Sequence, residues 1–140
     1  MTTNSPSPDA PESFHGRSLA ASLTVSNLEK STAWYQDVLG FAVDRKHERE
    51  GKLLAVSLKA GHVQILITQD DGAKGWDRVK GDGFSMRITT DQNIDEIAKR
   101  IKERGNTLDT EPTDTPWGER VFRVHDPDGF KFLISSANAS

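Results

Sequence analysis

A chain of 140 residues with 34% hydrophobic residues can bury one core and is too short for two of ordinary size. Its 18 Lys and Arg against 21 Asp and Glu leave a formal charge of −3, with no long block of one sign, which argues against nucleic acid as a partner. The absence of cysteine excludes disulfides, thiolate metal sites and thiol nucleophiles and suits a reducing compartment, with the cytoplasm expected; no stretch reaches the roughly 18 apolar residues of a membrane helix, so no membrane partner is expected.

Residues 1–17 carry Pro6, Pro8 and Pro11 among Ser, Thr and Asp, with few apolar side chains to offset the entropy of ordering them. They lack the basic start and apolar middle of a secretory signal and are expected to form a disordered tail outside a single domain at 18–137. In its first module, 18–68, Leu19, Ala21, Leu23 and Val25 alternate, Asn27 suits a helix N-cap, and Leu28, Tyr35, Val38 and Leu39 share a helical face before Gly40 ends it. Strands are expected at Phe41–His47, Leu53–Lys59 and Val63–Thr68, divided by the polar tip Glu48–Lys52 and the Ala60-Gly61 turn. Residues 69–83, rich in Gly and charge, read as a linker whose one large anchor is Trp76.

The second module, 84–137, repeats the first. Phe84, Met86 and Ile88 alternate, Asn93 caps, Ile94, Ile97, Ala98 and Ile101 form the stripe, and Gly105 closes the helix. A weaker strand near Thr107–Glu111 and a loop from Pro112 to Gly118 precede strands at Arg120–His125 and Phe130–Ser135. Between these lies Asp126-Pro127-Asp128-Gly129, whose residue types suit a type I turn. The fold class is α+β, a tandem of two βαβββ modules with two curved mixed sheets forming a cleft.

Each helix must cover one sheet face. The alternation sends Leu19, Ala21, Leu23, Val25, Val63, Ile65, Ile67, Phe84, Met86, Ile88, Phe122, Val124, Phe130, Phe132 and Ile134 to the core side. Ala20, Ser22, Thr24, His62, Gln64, Leu66, Ser85, Arg87, Thr89, Val121, Arg123, His125 and Leu133 are left on the open faces, and two such faces brought together enclose a place for a ligand. Trp34 and Trp76 are assigned to a module interface or subunit contact, Tyr35 to the core, and His15, His47, His62 and His125 to solvated positions.

The run from Leu23 to Ser31, with Trp34-Tyr35 and Val38-Leu39-Gly40-Phe41, resembles the opening module of the vicinal oxygen chelate superfamily, which includes glyoxalase I, extradiol dioxygenases, and fosfomycin and bleomycin resistance proteins. Phe122 through Leu133, with the Asp126 turn, is similar to its closing hairpin. The resemblance covers Leu19 to Ser135 and implies the fold more than the reaction. Carried over by position, the family's metal ligands fall on Ala20, Gln64, the neighbourhood of Ser85, and Leu133. Only Gln64 offers a donor atom, so neither metal nor other cofactor is expected.

Without a nucleophile and base in a recognisable pattern, catalytic residues stay unassigned and the chain is open as enzyme or not. The reading is a metal-independent protein, similar to bleomycin resistance proteins, holding a small organic ligand with Ser22, Gln64, Arg87, Trp117 and Arg123. Arg87 and Arg123 share a side and two guanidinium groups suit a carboxylate or phosphate; the Trp117 indole suits a stacking wall. The alternatives are a divalent-metal glyoxalase-like lyase or isomerase, or a dioxygenase, built on a nonstandard set including Gln64, and a regulatory module with no ligand. The resemblance also implies a homodimer.

Overall fold

A computed structural model describes residues 13–136. The expectation for the tail lies outside these residues for 1–12. Eight strands and two helices form two four-stranded sheets of like topology: β1 (Ala21–Val25), α1 (Leu28–Asp37), β2 (Ala42–Arg49), β3 (Lys52–Ala60) and β4 (Val63–Gln69), then β5 (Met86–Thr90), α2 (Ile94–Glu103), β6 (Thr110–Asp114), β7 (Arg120–His125) and β8 (Lys131–Ser136). The orders are β1-β4-β3-β2 and β5-β8-β7-β6, with β1 parallel to β4, β5 parallel to β8 and all other pairs antiparallel. The chain is therefore the α+β tandem that its repeated pattern implies, although the sheets do not close on one another.

Local chemistry starts both helices in the same way. The Asn27 side chain accepts the Lys30 N–H at 3.0 Å, and Asn93 accepts that of Glu96 at 3.0 Å, each filling a donor that the first turn leaves without a partner. Helix α1 then packs on β2, β3 and β4, and α2 on β6, β7 and β8. Leu23, Val25, Val56, Leu58, Ile65 and Ile67 lie beneath the first helix, and Phe122, Val124, Phe132 and Ile134 beneath the second, in one continuous core.

Tyr35 and the last turn join the modules. Tyr35 is fully buried, with edge-on ring contacts to Trp34, Phe41 and, in the other module, Phe132, at centroid distances of 5.0, 5.9 and 5.9 Å. Its hydroxyl donates to Asp126 Oδ2 at 2.7 Å, while Asp126 Oδ1 accepts the N–H groups of Asp128 and Phe130 at 2.9 and 2.8 Å. Asp128 in turn accepts from Ser26, 3.1 Å from the backbone nitrogen and 2.5 Å from the hydroxyl. Arg104 donates to the Asp37 carbonyl across the same boundary. The acid that shapes the turn is thus also the acceptor that fastens one module to the other.

Leu19 and Phe84 depart from the alternation. Leu19 is 99% exposed and Phe84 48% exposed, because the parallel pairings begin only at Ala21↔Ile65 and Met86↔Phe132 and leave nothing to hold either residue in a strand. Strand β6 runs three residues later than expected and contains Pro112, which an edge strand tolerates because one row of its N–H groups has no partner. Trp76 is exposed and lies against Gly72, not between modules.

Residues beyond β4 are tied back by Asp70, which is buried. It accepts from Lys80 Nζ at 2.7 Å, from the Gly72 N–H at 2.8 Å and from Arg78 at 3.4 Å. The Lys80 hydrogen bond, then that of Gly72, lowers its carboxyl to about 2 from 3.8. The fold therefore holds the ionised form more tightly than the unfolded chain does. The resulting stability is complete above the unfolded value and is lost as pH falls through about 2. An Asp70→Asn variant is expected to lack this acid-dependent loss, read by urea titration between pH 5 and 2; identical pH slopes for the two proteins refute it.

Candidate functional site

Where the bottom of β1 and β4 approaches β5 and the start of β8, the structure leaves a cleft of about 550 Å³. Its walls are mainly apolar, with Leu19, Ala21, Phe84 and Met86 among them, and its polar groups are Ser22, Gln64, Ser85 and Arg87. The lining mixes both strand faces: Ala20, Ser22, Gln64 and Arg87 come from the faces expected to be open, and Ala21, Leu23, Ile65 and Met86 from those expected to be covered, as β1 and β5 each lie at the edge of a sheet. The exposed Leu19 and Phe84 are part of its wall.

Of the five residues singled out in the sequence, Ser22, Gln64 and Arg87 line this cleft; Trp117 and Arg123 do not. Arg123 is exposed on the open face of the second sheet, in the row Arg87, Leu133, Arg123, with β8 between the two arginines. Arg87 is not free to form an anion fork with it. Its guanidinium donates to Glu119 Oε2, and the other oxygen of that carboxylate accepts the Trp117 indole N–H at 2.7 Å. The loop is closed on itself, Thr115 N–H to the Glu119 carbonyl at 2.7 Å and Glu119 N–H to Thr115 Oγ1 at 2.9 Å, leaving Trp117 72% exposed.

Two residues take places that strand alternation does not indicate. Glu119 precedes β7, where no alternation indicates a direction. His47, taken for a solvated tip residue, is half-buried with Nε2 3.1 Å from Ser57 Oγ. Register breaks between Val43 and Arg45 and between His47 and Glu48 change which face each β2 side chain takes, and a simple period of two misses them. His125 is exposed beside Asp109, with Nδ1 2.7 Å from its carboxylate.

A model of the Glyoxalase/Bleomycin resistance protein/Dioxygenase superfamily matches residues 17–134. The chain belongs to this superfamily. It is 22% identical over 130 residues to lactoylglutathione lyase GLX1 of Arabidopsis thaliana, of whose length it spans only 45%, and 25% identical over 127 residues to the lactoylglutathione lyase of Salmonella typhimurium. These alignments cover 89% and 86% of this chain, and the second covers 93% of its relative. Among solved structures, TnmS3, an antibiotic binding protein from Streptomyces sp. CB03234, superposes with a TM-score of 0.66 at 21% identity over 88% of this chain and 98% of its own.

Members of the superfamily that use a divalent ion need several oxygen or nitrogen donors converging on it. At the matching positions this chain has the methyl group of Ala20, the Gln64 amide, the Ser85 hydroxyl and the Leu133 isobutyl group, and among the described residues no three His, Cys, Asp or Glu side chains converge. That donor set does not fit a resident metal. No described helix is long and apolar enough to cross a membrane.

Proposed function

We propose that this superfamily member binds a small organic molecule without a metal ion, in the manner of bleomycin resistance proteins, and that the cleft between its modules holds the ligand. The supporting observation is the cleft itself: about 550 Å³, walled by Leu19, Ala21, Phe84 and Met86, with Ser22, Gln64 and Arg87 as its polar groups. A concave apolar surface with a few placed polar groups is the usual form of a small-molecule site. The likeness in fold to an antibiotic binding protein supports the same reading. Trp117 and Arg123, outside the cleft walls, would meet the part of a larger ligand that extends over the second sheet. The implied pairing of two copies would cover the exposed Leu19 and Phe84.

The competing reading, a divalent-metal lyase, isomerase or dioxygenase, is favoured by the lactoylglutathione lyases among the relatives. One experiment separates the two. Untagged protein is analysed for metal, assayed with glyoxalase and ring-cleavage substrates after addition of nickel, zinc, manganese or iron, and screened by thermal shift against uncharged aromatic compounds, with its mass in solution read by sedimentation. The expected result is a ligand that at 100 times its Kd adds about 2.7 kcal/mol of stability, with the shift reduced in Gln64→Ala and no turnover with any metal. Stoichiometric tight metal together with turnover overturns the proposal.

A further inference from the structure

Arg87 is the one charged residue among those lining the cleft, so its partner decides the charge that a ligand meets. That partner is Glu119, whose side chain is only 14% exposed while that of Arg87 is 49% exposed. Both carboxylate oxygens are engaged, one by Arg87 and one by the Trp117 indole N–H at 2.7 Å. The backbone around the acid is held as well. Thr115 bonds Glu119 in both directions, and the Gly118 N–H donates to the Thr115 carbonyl at 3.2 Å.

We propose that Glu119 determines the charge preference of the cleft: by occupying Arg87 it turns the site against carboxylate and phosphate ligands and toward uncharged aromatic ones. This inference rests on the cleft being the ligand site. Glu119 takes Arg87 Nη2, so an anionic ligand that reaches the remaining guanidinium N–H groups meets a charge already neutralised and a carboxylate that repels it. To take Nη2 as well it must displace an acid tethered a few ångströms away, whose effective concentration far exceeds that of a free solute. It would also leave Glu119 with an indole donor in place of a charge-assisted bond. An uncharged ligand displaces nothing. It meets apolar walls plus the Ser22, Ser85 and Gln64 side chains, and covering a paired Arg87 costs it less than covering a bare charge.

The test compares 2-naphthamide with 2-naphthoate, the same ring system with and without a charge, by calorimetric titration of the full chain. The parent protein should bind the amide more tightly than the acid. In Glu119→Gln the ratio of acid to amide affinity should rise about tenfold, the size of one charge-assisted hydrogen bond. Adding Arg87→Gln should abolish that rise, and Glu119→Asp, which keeps the charge, should retain the parental order. Thermal unfolding of each variant establishes that it is folded. An unchanged ratio in Glu119→Gln, or a rise that survives loss of Arg87, overturns the proposal while leaving the cleft as a binding site. Failure of the parent protein to bind the amide removes both.

Discussion

Replacing Asp126 with Ala should lower the unfolding free energy by about 3–5 kcal/mol near pH 5, because the Tyr35 hydroxyl and the N–H groups of Asp128 and Phe130 then lose their acceptor in a buried setting. Asp126→Asn keeps an acceptor for the two N–H groups, and its amide can donate to the tyrosine oxygen, so it should cost about 1–2 kcal/mol. The two variants also differ from the parent in pH dependence. Burial raises the Asp126 carboxyl above 3.8, and the hydrogen bonds from Tyr35, Phe130 and Asp128 oppose this only in part; burial, then the charge of Asp126, likewise raises the Tyr35 phenol. The fold holds the Asp126 proton more tightly than the unfolded chain. Its contribution is therefore complete below 3.8 and is lost as pH rises through the folded value, the opposite direction to that of Asp70. Urea titrations from pH 4 to 7 should show the advantage of the parent over Asp126→Asn shrinking as pH rises. A constant difference would mean that the carboxyl is not what titrates.

Gly81→Ala should be nearly as damaging, by about 3 kcal/mol or more, from two separable causes. The backbone at Gly81 has φ +75°, which costs an L side chain about 1–2 kcal/mol, and a Cβ there would overlap the Gly129 carbonyl and the Phe130 Cα. Those atoms belong to the turn that carries Asp126, so the clash pushes directly on the joint between modules. Gly83 isolates the first cause: its φ is +83°, and a Cβ would meet nothing within 4 Å. Its Ala variant should lose only about 1–2 kcal/mol. Equal losses at the two glycines, measured by urea unfolding, would show that the close approach to Gly129 is unimportant.

The elements were legible because each rests on a local rule: the two Asn caps, the helical stripes, and the Asp126 turn, whose carboxylate accepts the Asp128 N–H. Leu19 and Phe84 were misread as core because alternation continues in the letters after the pairing partner has run out, which only the register of β4 and β8 reveals. Tyr35 was legible as core, but its partner in the other module was not; a helical stripe states which face is apolar and not what meets it. Around the cleft, strand parity was an incomplete guide, since Leu23, Ile65 and Met86 line it beside Ser22, Gln64 and Arg87, and the hold of Glu119 on Arg87 depends on a loop outside any alternation.

The two outer borders of the molecule are poor templates for another strand. Strand β2 carries Asp44, Arg45, Lys46, Glu48 and Arg49 with two register breaks, and β6 carries Pro112 and an irregularity between Thr110 and Thr113. Charge, proline and bulges on a rim frustrate the regular ladder that sheet-to-sheet growth requires. A stray strand that meets either of these two rims finds no even row of backbone groups to extend.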